Sequence, residues 1–394
     1  MAQNKKNRLL WFLCLAALAV FGAAMVWLHY QQLCSPGGGD DPYTSDLGQH
    51  LYFAQQGMIY STVSLLIGPA YDIAGRIGIA VLLAVFHLAA VAVFAWGLRA
   101  ALPESTRPVR LLVSLAVNLA TAVWMPRGGY WYQGTVGGTI YHNTTYIMLA
   151  PFALLTMLAF LLVDGKSRTG WYWGLVFYAL AIGCRPFNIA LAPAVLWVFG
   201  ERLANGEKFG WRLVGRAVPF CVAPFLIGCA YGCYNLARFG SFFQFGHDYL
   251  PEFVQSGEPM FSLRYFARNV RSLLRMPAVW RGWDEMPSVS GFAVWLTQPG
   301  LFLALGWFIF RALRGKITAA DAVLAGCVAV QACALMLHRT NGGWQYGARY
   351  LCDTLPAVVY LRARADRDAR PWEAAALGGA AMFNLLAGAA FHAL

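Results

Sequence analysis

Charge is scarce in this chain. Only 12% of its 394 residues are Asp, Glu, Lys or Arg, about half the ~25% of an ordinary soluble domain. Lysine is scarcer still, with Lys5, Lys6, Lys166, Lys208 and Lys316 the only ones present. The nine cysteines contain no Cys-x-x-Cys pair, so the ligand spacings of a structural zinc site are missing. Cys14, Cys221, Cys229, Cys233, Cys327 and Cys333 lie inside apolar runs and read as core filler. No internal repeat of the kind that marks many transporters is found. These absences exclude a soluble globular enzyme, a disordered chain and a small disulfide scaffold.

What is present is hydrophobic. Apolar residues make up 59% of the chain, and the mean hydropathy is +0.52. A membrane-spanning helix needs ~20 mostly apolar residues. The first such run is Leu9–Leu28, preceded by Lys5, Lys6 and Arg8. It is longer than the apolar region of a signal peptide, ~7–15 residues, and is expected to be a retained span. Further runs lie near 77–98, 111–126, 145–163, 171–183, 188–200, 217–234, 291–310, 318–337, 348–362 and 373–392. The expected fold is an all-α polytopic membrane protein with about eleven transmembrane helices, one membrane-embedded domain over 1–394. Two runs, 171–183 and 188–200, are short and meet at Cys184-Arg185-Pro186. They are expected to form a broken pair that does not fully cross.

The net charge of +12 follows from topology. With the N-terminus in the cytoplasm, nineteen of the thirty basic residues fall in inside loops, and every short inside loop is basic. A nucleic-acid partner is therefore not needed to explain the excess. The remaining eleven basic residues are all arginines on the outside. Arginine offers a rigid fork suited to phosphate and carboxylate. The expected location is a bacterial inner or plasma membrane, with the polar chemistry on the extracytoplasmic face.

Four outside loops hold that chemistry, at about 29–76, 127–144, 235–290 and 338–347. The first carries Gly37-Gly38-Gly39, Asp40, Asp41, Asp46 and His50. Asp46 and His50 are four apart and share a face if that stretch is helical. Asp46 reads either as a helix N-cap or as a functional carboxylate. The second loop mixes glycine, aromatics and amides and ends Tyr141-His142-Asn143. It suits either sugar contact or an aromatic interface belt. The third contains Arg264, Arg268, Arg271 and Arg275 at spacings of four, three and four, a basic amphipathic helix suited to the membrane interface. Its arginines meet either bulk anionic headgroups or the entry path of a lipid-linked phosphate. The fourth leads through Gly342-Gly343-Trp344-Gln345-Tyr346-Gly347-Ala348-Arg349-Tyr350 to Asp353. Arg349 and Asp353 either pair with each other or serve a site. Arg185, at the meeting of the two short runs, is a functional candidate by its depth, or else snorkels to the outer interface.

Three segments together resemble a known family: the acidic loop with Asp40-Asp41 and Asp46-Leu-Gly-Gln-His50, the run Tyr234-Asn235-x-x-Arg238-Phe-Gly240-Ser241, and the glycine–aromatic run ending Gly347-Ala348-Arg349-Tyr350 followed by Leu355-Pro356. They are similar to bacterial multispanning glycosyltransferases of the GT-C fold, mannosyltransferase-like, which use polyprenyl-phosphate sugars as donors. Many relatives place two adjacent acids close after the first span. Here Asp40-Asp41 and Asp46 share that position. The resemblance implies an inverting transfer, with an outside-face carboxylate as general base and arginines for the leaving phosphate. It points to Asp46 as base, with Asp41 second. His50 would orient the base or bind the acceptor, and Asp40 would bind substrate. Arg349, Arg238 and Arg185 would face the phosphate, and Trp344, Tyr350, His142 and Asn143 the sugar or lipid. The implied partners are a polyprenyl-phosphate-linked sugar donor, a glycan, lipid or protein acceptor, and membrane lipids. The three loop acids suit a divalent cation, though the family includes metal-free members and no metal ligand is assigned.

Two other functions use many spans and cationic groups: a lipid-linked glycan flippase or transporter, and a glycan polymerase or ligase. Neither needs the acidic first loop. A non-catalytic scaffold is the third reading.

Overall fold

A computed structural model of the chain describes residues 2–34, 64–103, 105–119, 124–125, 141–142, 146–208, 210–244, 257–276, 293–339, 348, 350–364 and 371–393. Nearly all of these are helical. In chain order the helices are α1 (Ala2–Cys34), α2 (Ser64–Gly97), α3 (Arg107–Leu119), α4 (Tyr146–Val163), α5 (Arg168–Cys184), α6 (Ala192–Ala204), α7 (Trp211–Phe239) and α8 (Phe266–Leu274). They continue as α9 (Val294–Thr297), α10 (Pro299–Leu313), α11 (Ala319–Met336), α12 (Leu355–Ala363) and α13 (Pro371–Ala393). Two residue pairs, β1 (Trp124–Met125) and β2 (Tyr141–His142), pair antiparallel between α3 and α4.

Each apolar run of the sequence overlaps a helix among the described residues, although the 111–126 run leaves its helix at Leu119 and Trp124–Met125 pair as a strand. Among the described residues, five helical stretches are long and apolar enough to cross a membrane: Asn7–Trp27, Leu65–Gly97, Pro186–Ala204, Trp211–Phe239 and Ala319–Met336. Pro151–Val163 and Pro299–Leu313 are shorter apolar helices. Large apolar side chains stand exposed along them, among them Phe12, Ile73, Val81, Phe225 and Ile309. So much exposed apolar surface requires a nonaqueous surrounding. The chain is a helical membrane protein.

Local chemistry sets the breaks. Inside α2, Ala74 leaves helical geometry and Gly75 takes φ +58°, ψ −145°, a region open only to glycine. The chain folds back so closely that a Cβ on Gly78 would strike the Ala70 carbonyl. The helix following α5 begins with a 3-10 turn, Pro186–Leu191. That turn rises ~2.0 Å per residue, so with α6 the stretch reaches roughly 30 Å. Contrary to expectation, the second half of the broken pair is therefore long enough to cross. Asn205, at φ 47°, ends α6 in the left-handed region.

The largest core cluster joins α2, α4, α5, α6, α11 and α12 through Phe94, Phe160, Leu175, Phe199, Leu324 and Tyr360. The Phe160 and Tyr360 rings stack at 4.6 Å. Small residues admit close contact, as expected between helices in lipid. A Cβ on Gly174 of α5 would lie 2.9 Å from Val163 Cγ1 and 3.1 Å from the Ala159 carbonyl of α4.

One end of the bundle is locked by ion pairs. Asp164, just after α4, accepts from Arg202 Nη2 at 2.7 Å and lies 3.4 Å from Arg364 Nη1. Asp321, on the first turn of α11, meets Arg311 at 3.0 Å and Arg364 at 3.1 Å. Asp321 also completes a capping box with Thr318. Its role thus exceeds the simple helix cap that its position predicts. Arg362 holds Glu373 through two bonds, of 2.9 and 3.0 Å. Burial opposes the Arg364 charge, but Tyr360, Asp164 and Asp321 outweigh it and raise its pKa. These are among the arginines that the positive-inside count places together.

Candidate functional site

The second ionic centre lies at the opposite end of α5. Arg185 follows the helix in an extended conformation, φ −144° and ψ 98°, its N–H bonded to Ala181 O. A residue before proline avoids helical geometry, so the Arg185-Pro186 pair dictates the break. Side chains satisfy the backbone that the break frees. Tyr178 Oη donates to Asn188 O at 2.5 Å, and Asn188 Nδ2 donates to Thr156 Oγ1 at 3.2 Å.

The break aims Arg185 at Asp353. Its Nε stands 3.0 and 3.1 Å from the two carboxylate oxygens, and Nη2 lies 2.9 Å from Oδ1. The Asp353 side chain is 1% exposed and that of Arg185 11%. Such a charge-assisted, forked contact is among the stronger hydrogen-bonded pairs. Asp353 sits in a 3-10 turn, Tyr350–Thr354, that leads into α12. Thr354 Oγ1 closes the turn on Leu351 O at 2.7 Å. Gln298, just before α10, donates from Nε2 to Ala348 O and contacts Cys352 Sγ, both at 3.2 Å.

Aromatic rings continue the site outward. The Arg185 guanidinium lies 5.7 Å from the Tyr350 ring centroid, a cation–π distance. His338 meets Tyr350 edge-on at 5.3 Å and Phe261 at 5.0 Å. Phe261 in turn packs on Phe187 at 5.4 Å. Phe261 and His338 form a β-bridge, with Ser262 N to Leu337 O at 2.9 Å and Arg339 N to Met260 O at 2.7 Å. Asn269 of α8, fully buried, donates to Met336 O at 2.8 Å and His338 O at 2.7 Å. It thereby caps the carbonyl end of α11.

Of the site residues expected from sequence, the structure brings Arg185 and Tyr350 together. Arg238 sits at the end of α7 with its guanidinium over the Tyr234 and Phe239 rings, at 5.3 and 4.7 Å. The surrounding motif has a folding role: Gly240 ends the helix at φ 68°, Asn235 Nδ2 reaches Phe242 O at 3.5 Å, and the Phe242 ring folds over Gly232, where a Cβ would collide. His142 lies in β2, where its backbone pairs with Trp124. Asp40, Asp41, Asp46, His50, Asn143, Trp344 and Arg349 lie outside the described residues. Among the described residues, no group of three His, Cys, Asp or Glu side chains comes together as a metal centre.

Sequence reasoning did not single out His338, Gln298, Asn269 or Phe261. A buried histidine at a helix end and a Gln-Pro pair opening an apolar run are the available signals. Neither names its partner. The Arg185–Asp353 pair carries no net charge, so it supplies no uncompensated cation. Comparison with known proteins returns nothing similar: no family model, no curated protein and no solved structure matches this chain.

Proposed function

We propose that this chain is an inverting glycosyltransferase of the GT-C type, with eleven spans and its site on the extracytoplasmic face of a bacterial inner membrane. The donor is a polyprenyl-phosphate sugar, and the acceptor a hydroxyl of a glycan, lipid or protein. Asp46 takes the acceptor proton, with Asp41 as the neighbouring alternative. The acceptor oxygen attacks the anomeric carbon as the carbon–oxygen bond to the lipid phosphate breaks. A phosphate leaves with its own charge, so it needs cations rather than a proton donor. One carboxylate then suffices, unlike the two of glycoside hydrolysis.

One observation carries this reading beyond the loop motifs. The turn Tyr350–Thr354, which continues the glycine–aromatic run, stands against Arg185 at the break between two helices. Non-helical backbone at such depth is tolerated where it is buried or lines a cavity. Because Asp353 balances Arg185, the phosphate charge falls to Arg349 and Arg238, while Arg185 and Tyr350 hold the turn Tyr350–Thr354. Asp40, Asp41 and Asp46 offer carboxylates to a divalent ion, which a chelator control tests.

The test is a transfer assay with purified protein and a panel of polyprenyl-phosphate sugars. Asp46→Asn should lower turnover about 10²–10⁴-fold, the usual contribution of a general base, and keep lipid binding. If no donor is consumed and wild type equals Asp46→Asn, the enzyme reading fails. Lipid movement across vesicles that is indifferent to Asp46→Asn would instead mark a flippase.

A further inference from the structure

Helix α8 has three distinct faces. Tyr265, Asn269 and Ser272 are buried against the rest of the molecule. Arg264, Arg268, Arg271 and Arg275 form a second, exposed face, in register with the helical repeat. Leu263, Phe266 and Leu274 make a third that is apolar and exposed, at 82%, 39% and 52%. Buried polar contacts together with Val270 and Leu273 dock this helix, while Leu263, Phe266 and Leu274 stay outside. That is the pattern of a helix at a membrane interface.

Below the apolar face runs a groove of about 250 Å³ between α8, α9, α10 and α11. Leu273, Leu274, Val294, Phe302, Leu305 and Ala332 line it, and no polar residue among those described contributes. Trp295, 47% exposed and next to the lining residue Val294, donates from its indole N–H to Leu274 O at 3.0 Å. Exposed tryptophan is typical of the headgroup level.

The four arginines are not equivalent. Arg264 engages the Tyr265 hydroxyl at 2.6 Å and Glu258 at 3.1 Å. Arg268 donates to Asn269 Oδ1 and to the Arg339 carbonyl. Arg271 and Arg275 have no side-chain partner among the described residues, and both are exposed. They flank Leu274, one turn before it and one residue after it. A hydrocarbon chain lying on Leu274 thus has its headgroup within reach of two guanidinium groups.

We propose that this groove and the Arg271–Arg275 pair bind an anionic diacyl phospholipid of the surrounding bilayer. One acyl chain fills the groove and the phosphate sits under the two guanidinium groups. Charge complementarity selects an anionic headgroup. The apolar lining accepts hydrocarbon of either kind, and competition with polyprenyl phosphate separates this occupant from a lipid-linked substrate. The site does not depend on the transferase reading, and a chain without transferase activity would still bind the lipid.

Native mass spectrometry of the full chain, released from detergent with phosphatidylglycerol or phosphatidylcholine, tests this. Each basic residue near an anionic headgroup is worth about fivefold in binding, so the pair should favour phosphatidylglycerol roughly thirtyfold. Arg271→Gln with Arg275→Gln should remove that preference and leave phosphatidylcholine retention unchanged. Ala332→Phe, which fills the groove without touching charge, should lower retention of both lipids. Equal retention of the two lipids by wild type, or a preference that survives the double variant, would overturn the proposal. Displacement of phosphatidylglycerol by an equal concentration of polyprenyl phosphate would overturn it too, and would give the groove to a lipid-linked substrate.

Discussion

Replacing Asp353 with Asn offers the sharpest test of the Arg185 centre. The carboxylate is 1% exposed and accepts from Nε and Nη2 of a guanidinium that is itself only 11% exposed. Asn keeps one acceptor oxygen and loses the charge, so the Arg185 cation is left buried without compensation. Breaking one member of a buried pair costs about 3–5 kcal/mol, and the retained acceptor places Asp353→Asn near 3. Arg185→Met leaves a buried carboxylate and belongs near 5. Removing both charges together, in Arg185→Met with Asp353→Leu, should restore stability to within about 1 kcal/mol of wild type, because apolar replacement of a buried pair is often neutral. In the cycle of Arg185→Met, Asp353→Leu and their double variant, the coupling is then several kcal/mol and of compensating sign. The assay is unfolding of the purified chain in mixed micelles, titrated with a denaturing detergent. Single variants within 1 kcal/mol of wild type, or a double variant as unstable as the sum of the singles, would refute the pairing argument.

Two further outcomes follow from local geometry. Gly75→Ala in α2 should destabilise by about 1–3 kcal/mol, because φ +58° with ψ −145° is strained for any side chain; the same unfolding titration measures it, and no loss would mean that the kink is absent. Asn269→Ala should free the carbonyls of Met336 and His338, at about 1–3 kcal/mol for each buried group left unsatisfied; backbone hydrogen exchange at Leu337, His338 and Arg339 should rise before global unfolding, and unchanged protection there would sink the capping role.

The apolar runs marked their helices because a helix buried in lipid leaves a one-dimensional signal, an uninterrupted stretch of the right length. Arg185-Pro186 announced its break for an equally local reason, since proline restricts the residue before it. Asp321 was half legible. Thr318 three residues earlier marks the capping box, whereas Arg311 and Arg364 come from other helices. The basic stripe on α8 was visible as a spacing, and that its apolar face borders a groove was not, because α9, α10 and α11 build the other walls. Tyr234-Asn235-x-x-Arg238-Phe-Gly240 carried a further lesson. The segment reads as a recognition motif, yet Gly240, Asn235 and Phe242 are engaged in ending a helix and folding the chain back over it.

The sequence alone determined that this chain is helical and membrane-embedded, where most of its apolar helices run and where one of them breaks, although α2 over 64–76 lies in a stretch that reads as a loop. Hydrophobic length, proline and capping residues act within a few positions, so their consequences are local. Tertiary structure alone decided that Asp353 meets Arg185 across 168 positions. A charge in a low-dielectric interior is stabilised by whichever opposite charge the packing of helices brings within 3 Å, and that proximity is a property of the bundle rather than of any stretch of the chain.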